Sequence, residues 1–280
     1  RVTYKNGFSH IYYGTDNGGI ASFESNSLRS GNLLRQSDGS FEQKSPDGRV
    51  DKFNANGQLT DRIYPNGNER HYTYTAFDKI KTVTNRYHQK LEYFYNANEL
   101  LEKLVTPDNQ AHHFEHDTHQ NMTKIIYPDE TPNDLSNNPS VQFLFENPDF
   151  PNNLTGKINE KGVRLATWDY DDEGRAISSQ YAVGLEKFEL DYSVDNQTQV
   201  KKHVNDTLKR DLVYHYQTVT VQDSQTQQLT QLEQLPCTDC VTGDWFFEYN
   251  AYGHVKKSTS PKGIITTYQS VSYTHLRAHE

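Results

Sequence analysis

Long apolar runs, basic clusters and sulfur are what this sequence has least of. No stretch approaches the ~20 consecutive apolar residues that a membrane-spanning helix requires, so no membrane span is expected. No positively charged, apolar and small-residue succession marks a signal peptide at the start. The formal charge is −9, from 37 acids and 28 bases. With no basic run among them, nucleic acid is not an expected partner. The two cysteines, Cys237 and Cys240, fall short of the four ligands of a structural zinc site, and no second Cys or His pair stands at the usual spacing. Walker, GxGxxG, GxSxG and HExxH sequences are all missing, which removes the common phosphate, dinucleotide, serine-hydrolase and zinc-protease readings. No cofactor, metal or catalytic residue is expected.

What the chain has in quantity is aromatic residues and turn residues. The apolar fraction is only 33%, yet it includes 19 Tyr and 13 Phe. Disordered chains are poor in aromatics, so this balance points instead to thin sheet surfaces without a deep core.

Those residues repeat. Phe53, Tyr74, Tyr95 and His116 are each 21 residues apart. In the same register stand Leu59, Ile80, Leu101 and Met122, the aromatics Tyr72, Tyr93 and Phe114, and Pro65, Pro107 and Pro128, with Arg86 in the second copy. Self-similarity at a fixed period marks a repeat architecture and takes precedence over single-residue readings. Each unit carries two turns, one after the aromatic at Asn54 to Gly57 and one at Pro65-Asn66-Gly67, where Asx side chains, proline and glycine favour reversal. The runs between them have ordinary strand length, so a unit is predicted to be a β-hairpin and successive units a meander. Tyr72 with Tyr74, Tyr93 with Tyr95 and Phe114 with His116 share faces, and are expected to build a ladder of cross-strand aromatic neighbours.

The register breaks at 131–150, resumes at Tyr170-Asp171-Asp172-Glu173-Gly174-Arg175 with Gly184 in place, and breaks again at 217–246. A last unit starts at Tyr249-Asn250-Ala251-Tyr252-Gly253, with Val255, Pro261, Gly263 and Tyr268 at the offsets of Leu59, Pro65, Gly67 and Tyr72. The expected organisation is an irregular β segment at 1–45, repeats over 46–270 with two insertions, and a tail at 271–280. That tail resembles translated sequencing-adapter read-through and is expected to be non-native. Since the chain opens on Arg1, it is expected to be an internal piece of a longer protein.

Two clusters invite a chemical reading. His112, His113, His116 and His119 suggest a metal site, but His113 and His116 fall on opposite faces of a strand, and His116 fills the aromatic slot of the repeat. Asp169, Asp171, Asp172 and Glu173 suggest calcium or a glycosidase carboxylate pair, but Asp171 to Gly174 is the repeat's own turn. The Asn-x-Thr triplets at Asn121, Asn153, Asn196 and Asn205 are read as coincidence in an Asn- and Thr-rich chain.

The aromatic followed by Asp or Asn, then Gly, an aliphatic, Pro-x-Gly and Tyr-x-Tyr resembles the pattern of the RHS or YD-repeat family. Tyr170 to Arg175 and Tyr249 to Gly253 carry the resemblance best, and it covers roughly residues 40–270. It implies an all-β fold, a repetitive antiparallel hairpin meander forming part of a spiralling sheet that closes into a hollow shell. The implied role is structural: wall of an exported bacterial toxin, secreted or at the cell surface, enclosing its own C-terminal toxin domain, with a secretion-system adaptor or a cell-surface glycan as further partners. The repeat positions Phe53, Tyr74, Tyr95, His116, Tyr170, Tyr249, Gly57, Gly67, Gly174, Gly184, Gly253 and Gly263 are then wall positions. In an exported protein, Cys237 and Cys240 are expected to form a local disulfide. Two other functions stay open: a carbohydrate- or cell-surface-binding adhesion module, and a repeat-built polysaccharide-active enzyme.

Overall fold

The computed structural model describes residues 2–3, 9–10, 12–13, 21–25, 31–131, 134–182, 184–221, 224–237, 240 and 242–269. The expected non-native tail at 271–280 lies outside them, as does much of the segment 1–45. Every regular element among the described residues is a β-strand, and every pairing is antiparallel. The chain divides into two compact units, Arg1–Ser140 and Val141–Glu280.

In the first unit the strands from Ala21–Ser25 to Met122–Ile126 pair each with the next, as a meander. From Asn32–Arg35 onward they are joined by one turn, used over and over. In it the first residue's N–H donates to the carbonyl four residues on, and the fourth residue's N–H donates back to the first carbonyl. This turn opens at Asn54, Tyr64, Thr75, Asn85, Asn96, Thr106 and Asp117, in alternating steps of 10 and 11 residues. The two turns that the sequence distinguished are thus the same turn, and the 21-residue unit contains it twice. Its fourth residue takes positive φ, which Gly57 (82°) and Gly67 (76°) adopt without steric penalty. Asp78, His88, Glu99, Asn109 and Gln120 occupy the same slot at φ between 59° and 68°.

Asx side chains explain why the turn closes here. Asn54 Oδ1 accepts from the N–H groups of Asn56 and Gln58, and Asn96, Asp117, Asp171 and Asn250 repeat that pair of bonds. The side chain thereby offers the backbone a second way to turn. Thr75 does the same with its hydroxyl, at longer range, 3.2 and 3.3 Å.

The aromatic that precedes each such turn pairs with the aliphatic six residues on: Phe53 with Leu59, Tyr74 with Ile80, Tyr95 with Leu101, His116 with Met122. Beyond that pair the ladder skips one residue, namely Thr60, Lys81, Glu102 and Thr123 in turn. A bulge of this kind adds local twist and bends the strand.

The expected ladder of aromatic neighbours does not form. A 21-residue unit contributes two strands, so equivalent residues of successive units lie two strands apart, about 9.5 Å at ordinary strand spacing. Tyr72 stands opposite Val83, Tyr93 opposite Leu104 and Phe114 opposite Ile125. Aromatic and aliphatic side chains therefore alternate across the sheet. The buried apolar residues among those described are only Leu33, Ile126, Val141 and Ala166, and most strand residues are half-buried.

The second unit runs as a meander from Ser140–Leu144 to Ile265–Thr267. The same turn recurs at Asn159, Asp171, Asn250 and Ser260. Residues 217–246 hold the far end of Thr207–Val221 and the whole of Ser224–Gln234, the two longest strands, which form one long hairpin.

Candidate functional site

Four of the repeat aromatics singled out from the sequence, Tyr74, Tyr95, Tyr170 and Tyr249, make a backbone clasp to a strand or loop that precedes them. Tyr74 Oη donates to the carbonyl of Leu59 at 2.7 Å, and Tyr95 Oη to that of Ile80 at 2.8 Å. In the second unit Tyr170 reaches Leu154 (2.7 Å), Tyr192 reaches Ala176 (3.0 Å) and Tyr249 reaches Leu229 (2.8 Å). Leu59, Ile80 and Ala176 are the aliphatic positions of their own units. For Tyr74, Tyr95 and Tyr192 the hydroxyl reaches the carbonyl of the residue that opens the neighbouring strand, Leu59, Ile80 and Ala176 in turn. Each such bond gives a main-chain carbonyl a side-chain donor. Tyr249 keeps the clasp across the long hairpin, with Leu229 supplying the carbonyl.

Burial pushes the hydroxyls of Tyr74, Tyr95, Tyr170 and Tyr249 above the ordinary tyrosine range. They remain donors accordingly well into alkaline solution.

Two members of the series lack the hydroxyl. Phe53 packs opposite Phe41 and Leu59 without a polar contact. His116 sits in the slot with its Nδ1 buried and unpartnered.

A second set of contacts stitches the turn tips together. Gln58 Nε2 donates to Asp78 Oδ1 at 2.8 Å, and Arg86 Nη1 to the Gly67 carbonyl at 3.0 Å. Asn153 Nδ2 does the same to the Gly174 carbonyl at 3.2 Å. Arg86, which replaces the proline of other copies, thus has a contact that the sequence did not announce. Gly253 packs closely on the long hairpin: a Cβ there would stand 3.5 Å from Val221. Gly263 faces open space, while Gly184 lies in a different turn opening at Ala182.

One buried ionic cluster was missed in the sequence. Asp51 is 2% exposed and accepts from Arg62 Nε and Nη2 at 2.7 and 2.9 Å, with Arg49 Nε 3.4 Å away. Arg62 stands opposite Asp51 in the ladder, so the fork closes across two strands. The Asp51 carboxylate raises the Arg62 guanidinium further above its already basic range. The only available signal was an Asp and an Arg in successive strands, which the register alone can align.

The histidines do not converge. His112 meets the Tyr127 ring edge-on at 5.8 Å, while His113 lies on the opposite face, where burial and then Lys103 lower its pKa. Among the described residues no three His, Cys, Asp or Glu side chains are grouped to hold a metal ion. The Asp171 carboxylate is engaged by its own turn and by Arg175 Nε at 2.7 Å. The Cα atoms of Cys237 and Cys240 lie 5.2 Å apart, a separation that a disulfide can span. A shallow groove of about 750 Å³ runs between the turns at Thr75 and Asn96, lined by Phe77, Lys81, Glu92, Tyr93 and Phe94. Phe77 and Phe94 are exposed there.

The described chemistry is that of holding backbone to backbone. The family model described as Teneurin YD-shell matches residues 11–236. No curated protein matches the chain. Among solved structures, the chain is similar to a TcdB2-TccC3-Cdc42 crystal structure, at 10% identity over 88% of this chain and 17% of that one, with a TM-score of 0.30. It is also similar to a Photorhabdus luminescens Tc holotoxin pore, at 10% identity over 88% of this chain and 17% of that one, TM-score 0.31. A porin-like protein from Bacteroides uniformis follows at 10% identity, covering 84% of this chain and 89% of that one, TM-score 0.21. The chain spans about a sixth of the length of the Tc toxin chains that it matches, and at these scores the structural likenesses add nothing to the family match.

Proposed function

The chain belongs to the teneurin YD-shell family, and we propose that it is a stretch of wall in an exported bacterial toxin of the RHS-repeat kind, enclosing a C-terminal toxin domain and doing no catalysis itself. The observation that carries this reading is the repeated clasp: the most regular side chains in the chain spend their polar atoms on backbone carbonyls of the adjoining repeat. On this reading residues 46–270 are the repeats, residues 1–45 lead into them, and the protein is secreted or carried at the cell surface through a secretion-system adaptor. The test is to express the native gene with everything downstream of Tyr268 and treat the product with protease. A downstream domain that survives until the wall is unfolded supports enclosure. A reading frame without further repeats or a further domain, or a downstream domain digested at once, overturns it.

A second reading is favoured by the groove between Thr75 and Asn96. Exposed Phe77 and Phe94 beside Glu92 and Lys81 present both a stacking surface and hydrogen-bonding groups, the combination that sugar rings use. A glycan array probed with the chain, beside a Phe77→Ala and Phe94→Ala variant, tests it. Equal signals from the two proteins remove the groove from consideration.

A further inference from the structure

The hairpin of Thr207–Val221 and Ser224–Gln234 outgrows its neighbours. Thr207–Val221 pairs on one side with Gln197–Val204, and that ladder ends at Gln197 opposite His215. One more bond follows, from Tyr216 N–H to the Asn196 carbonyl at 2.8 Å, after which the neighbouring chain leaves through Asn196 at φ 58°. On the other side, the pairing with Ser224–Gln234 continues from Tyr216 opposite Leu229 to Val221 opposite Ser224 without a further skip. Gln217 to Val221 therefore have a partner strand on one side only, among the described residues.

The direction of the free groups follows from Tyr216. Its N–H points away from Ser224–Gln234, and alternate residues of a strand point their N–H and C=O the same way. The polar groups of Thr218 and Thr220 consequently face outward, and both residues are exposed. Proteins ordinarily guard such an edge with Lys, Pro or an inward charge. None is present: from Leu212 to Gln222 the sequence has no Lys, Arg, Asp, Glu or Pro.

We propose that this edge is a docking strand for a second copy of the same chain, added antiparallel about a two-fold axis through Val219. Its pattern is self-complementary. Thr218 of one copy falls opposite Thr220 of the other, twice, so that both outward pairs exchange hydrogen bonds. Val219 meets its own copy at a non-hydrogen-bonded position, and no like charges oppose one another. A charged edge would have favoured a partner of opposite sign. An uncharged one that matches itself favours a copy.

The test uses the whole chain. Sedimentation at about 100 µM is expected to show dimer, and Thr218→Lys with Thr220→Lys in one protein to raise the dissociation constant roughly tenfold or more. Thermal melting of that variant, expected unchanged, shows that it has folded. Val219→Cys offers a second measurement. Cα atoms at a non-hydrogen-bonded antiparallel pair lie about 4.5 Å apart, within disulfide range. Mild oxidation is expected to link Val219→Cys chains far faster than chains carrying Lys161→Cys, an exposed turn position. A monomer at that concentration, association indifferent to the two lysines, or equal cross-linking from both cysteine variants overturns the proposal.

Discussion

The hydroxyl of Tyr95 holds the main-chain carbonyl of Ile80, fifteen residues earlier, at 2.8 Å. Tyr95→Phe keeps the ring and removes only this bond. Hydrogen bonds of this kind contribute about 1 kcal/mol, and a carbonyl stripped of its donor loses somewhat more. Urea unfolding of the variant is expected to show a lower midpoint with unchanged slope. A loss confined to Tyr95→Phe, with Phe53→Tyr showing no matching change, would locate the effect in the clasp.

His116→Tyr is expected to do the reverse. It replaces a buried, unpartnered Nδ1 with a hydroxyl aimed at the Leu101 carbonyl, the acceptor that its register position implies. The gain is expected at about 1 kcal/mol, since an unsatisfied buried nitrogen is removed and a bond is made. Calorimetry showing no rise in melting temperature would mean that the slot does not transfer between copies.

The turns separate backbone strain from packing. Gly57 sits at φ 82° with nothing within 4 Å of where a Cβ would stand, so Gly57→Ala introduces left-handed strain alone, about 1 to 2 kcal/mol. Gln120 occupies the same slot at φ 68°, and Gln120→Gly is expected to stabilise by about 1 kcal/mol. Chemical denaturation of the two variants should move in opposite directions.

Much of this is legible in the sequence. The 21-residue register placed Tyr74, Tyr95, Tyr170 and Tyr249 in one series and their turns at Asn96, Asp171 and Asn250, because turn chemistry is local and writes itself into Asx and glycine. The partner of each hydroxyl was not legible, since a carbonyl has no letter of its own. Neither was the Asp51–Arg62 fork, which depends on cross-strand register. The aromatic ladder failed for a countable reason: two strands per period put Tyr72 opposite Val83 and leave Tyr93 on a farther strand.

Asp51→Ala is expected to be the most damaging single change considered. It strands two arginines against one another, Arg62 at 24% and Arg49 at 22% side-chain exposure. Breaking a buried pair by removing one partner commonly takes about 3 to 5 kcal/mol. Replacing Asp51, Arg62 and Arg49 together with apolar residues should recover most of the loss, and the comparison by urea titration reads it directly.

Alkaline pH acts on the clasp. The folded-state pKa of Tyr74, Tyr95, Tyr170 and Tyr249 is raised by burial above the ordinary 10.0, so the folded chain holds protons that the unfolded chain releases. The resulting stability is fully present below about pH 10 and is lost as pH rises through the folded values. Melting temperature is therefore expected to be level from neutral pH to about 9 and to fall above 10, less steeply once the four tyrosines are phenylalanine.

The scarcity of buried apolar residues, Leu33, Ile126, Val141 and Ala166 among those described, has a calorimetric consequence. Unfolding a chain whose stability resides in ladder bonds and half-buried side chains exposes little new hydrocarbon to water, and the polar surface it releases lowers the heat capacity where hydrocarbon would raise it. Its heat-capacity increment per residue should fall below the usual value of about 12 to 15 cal/mol/K, and its stability should change only gently with temperature. A wall built this way keeps much the same strength in a cold environment as in a warm one.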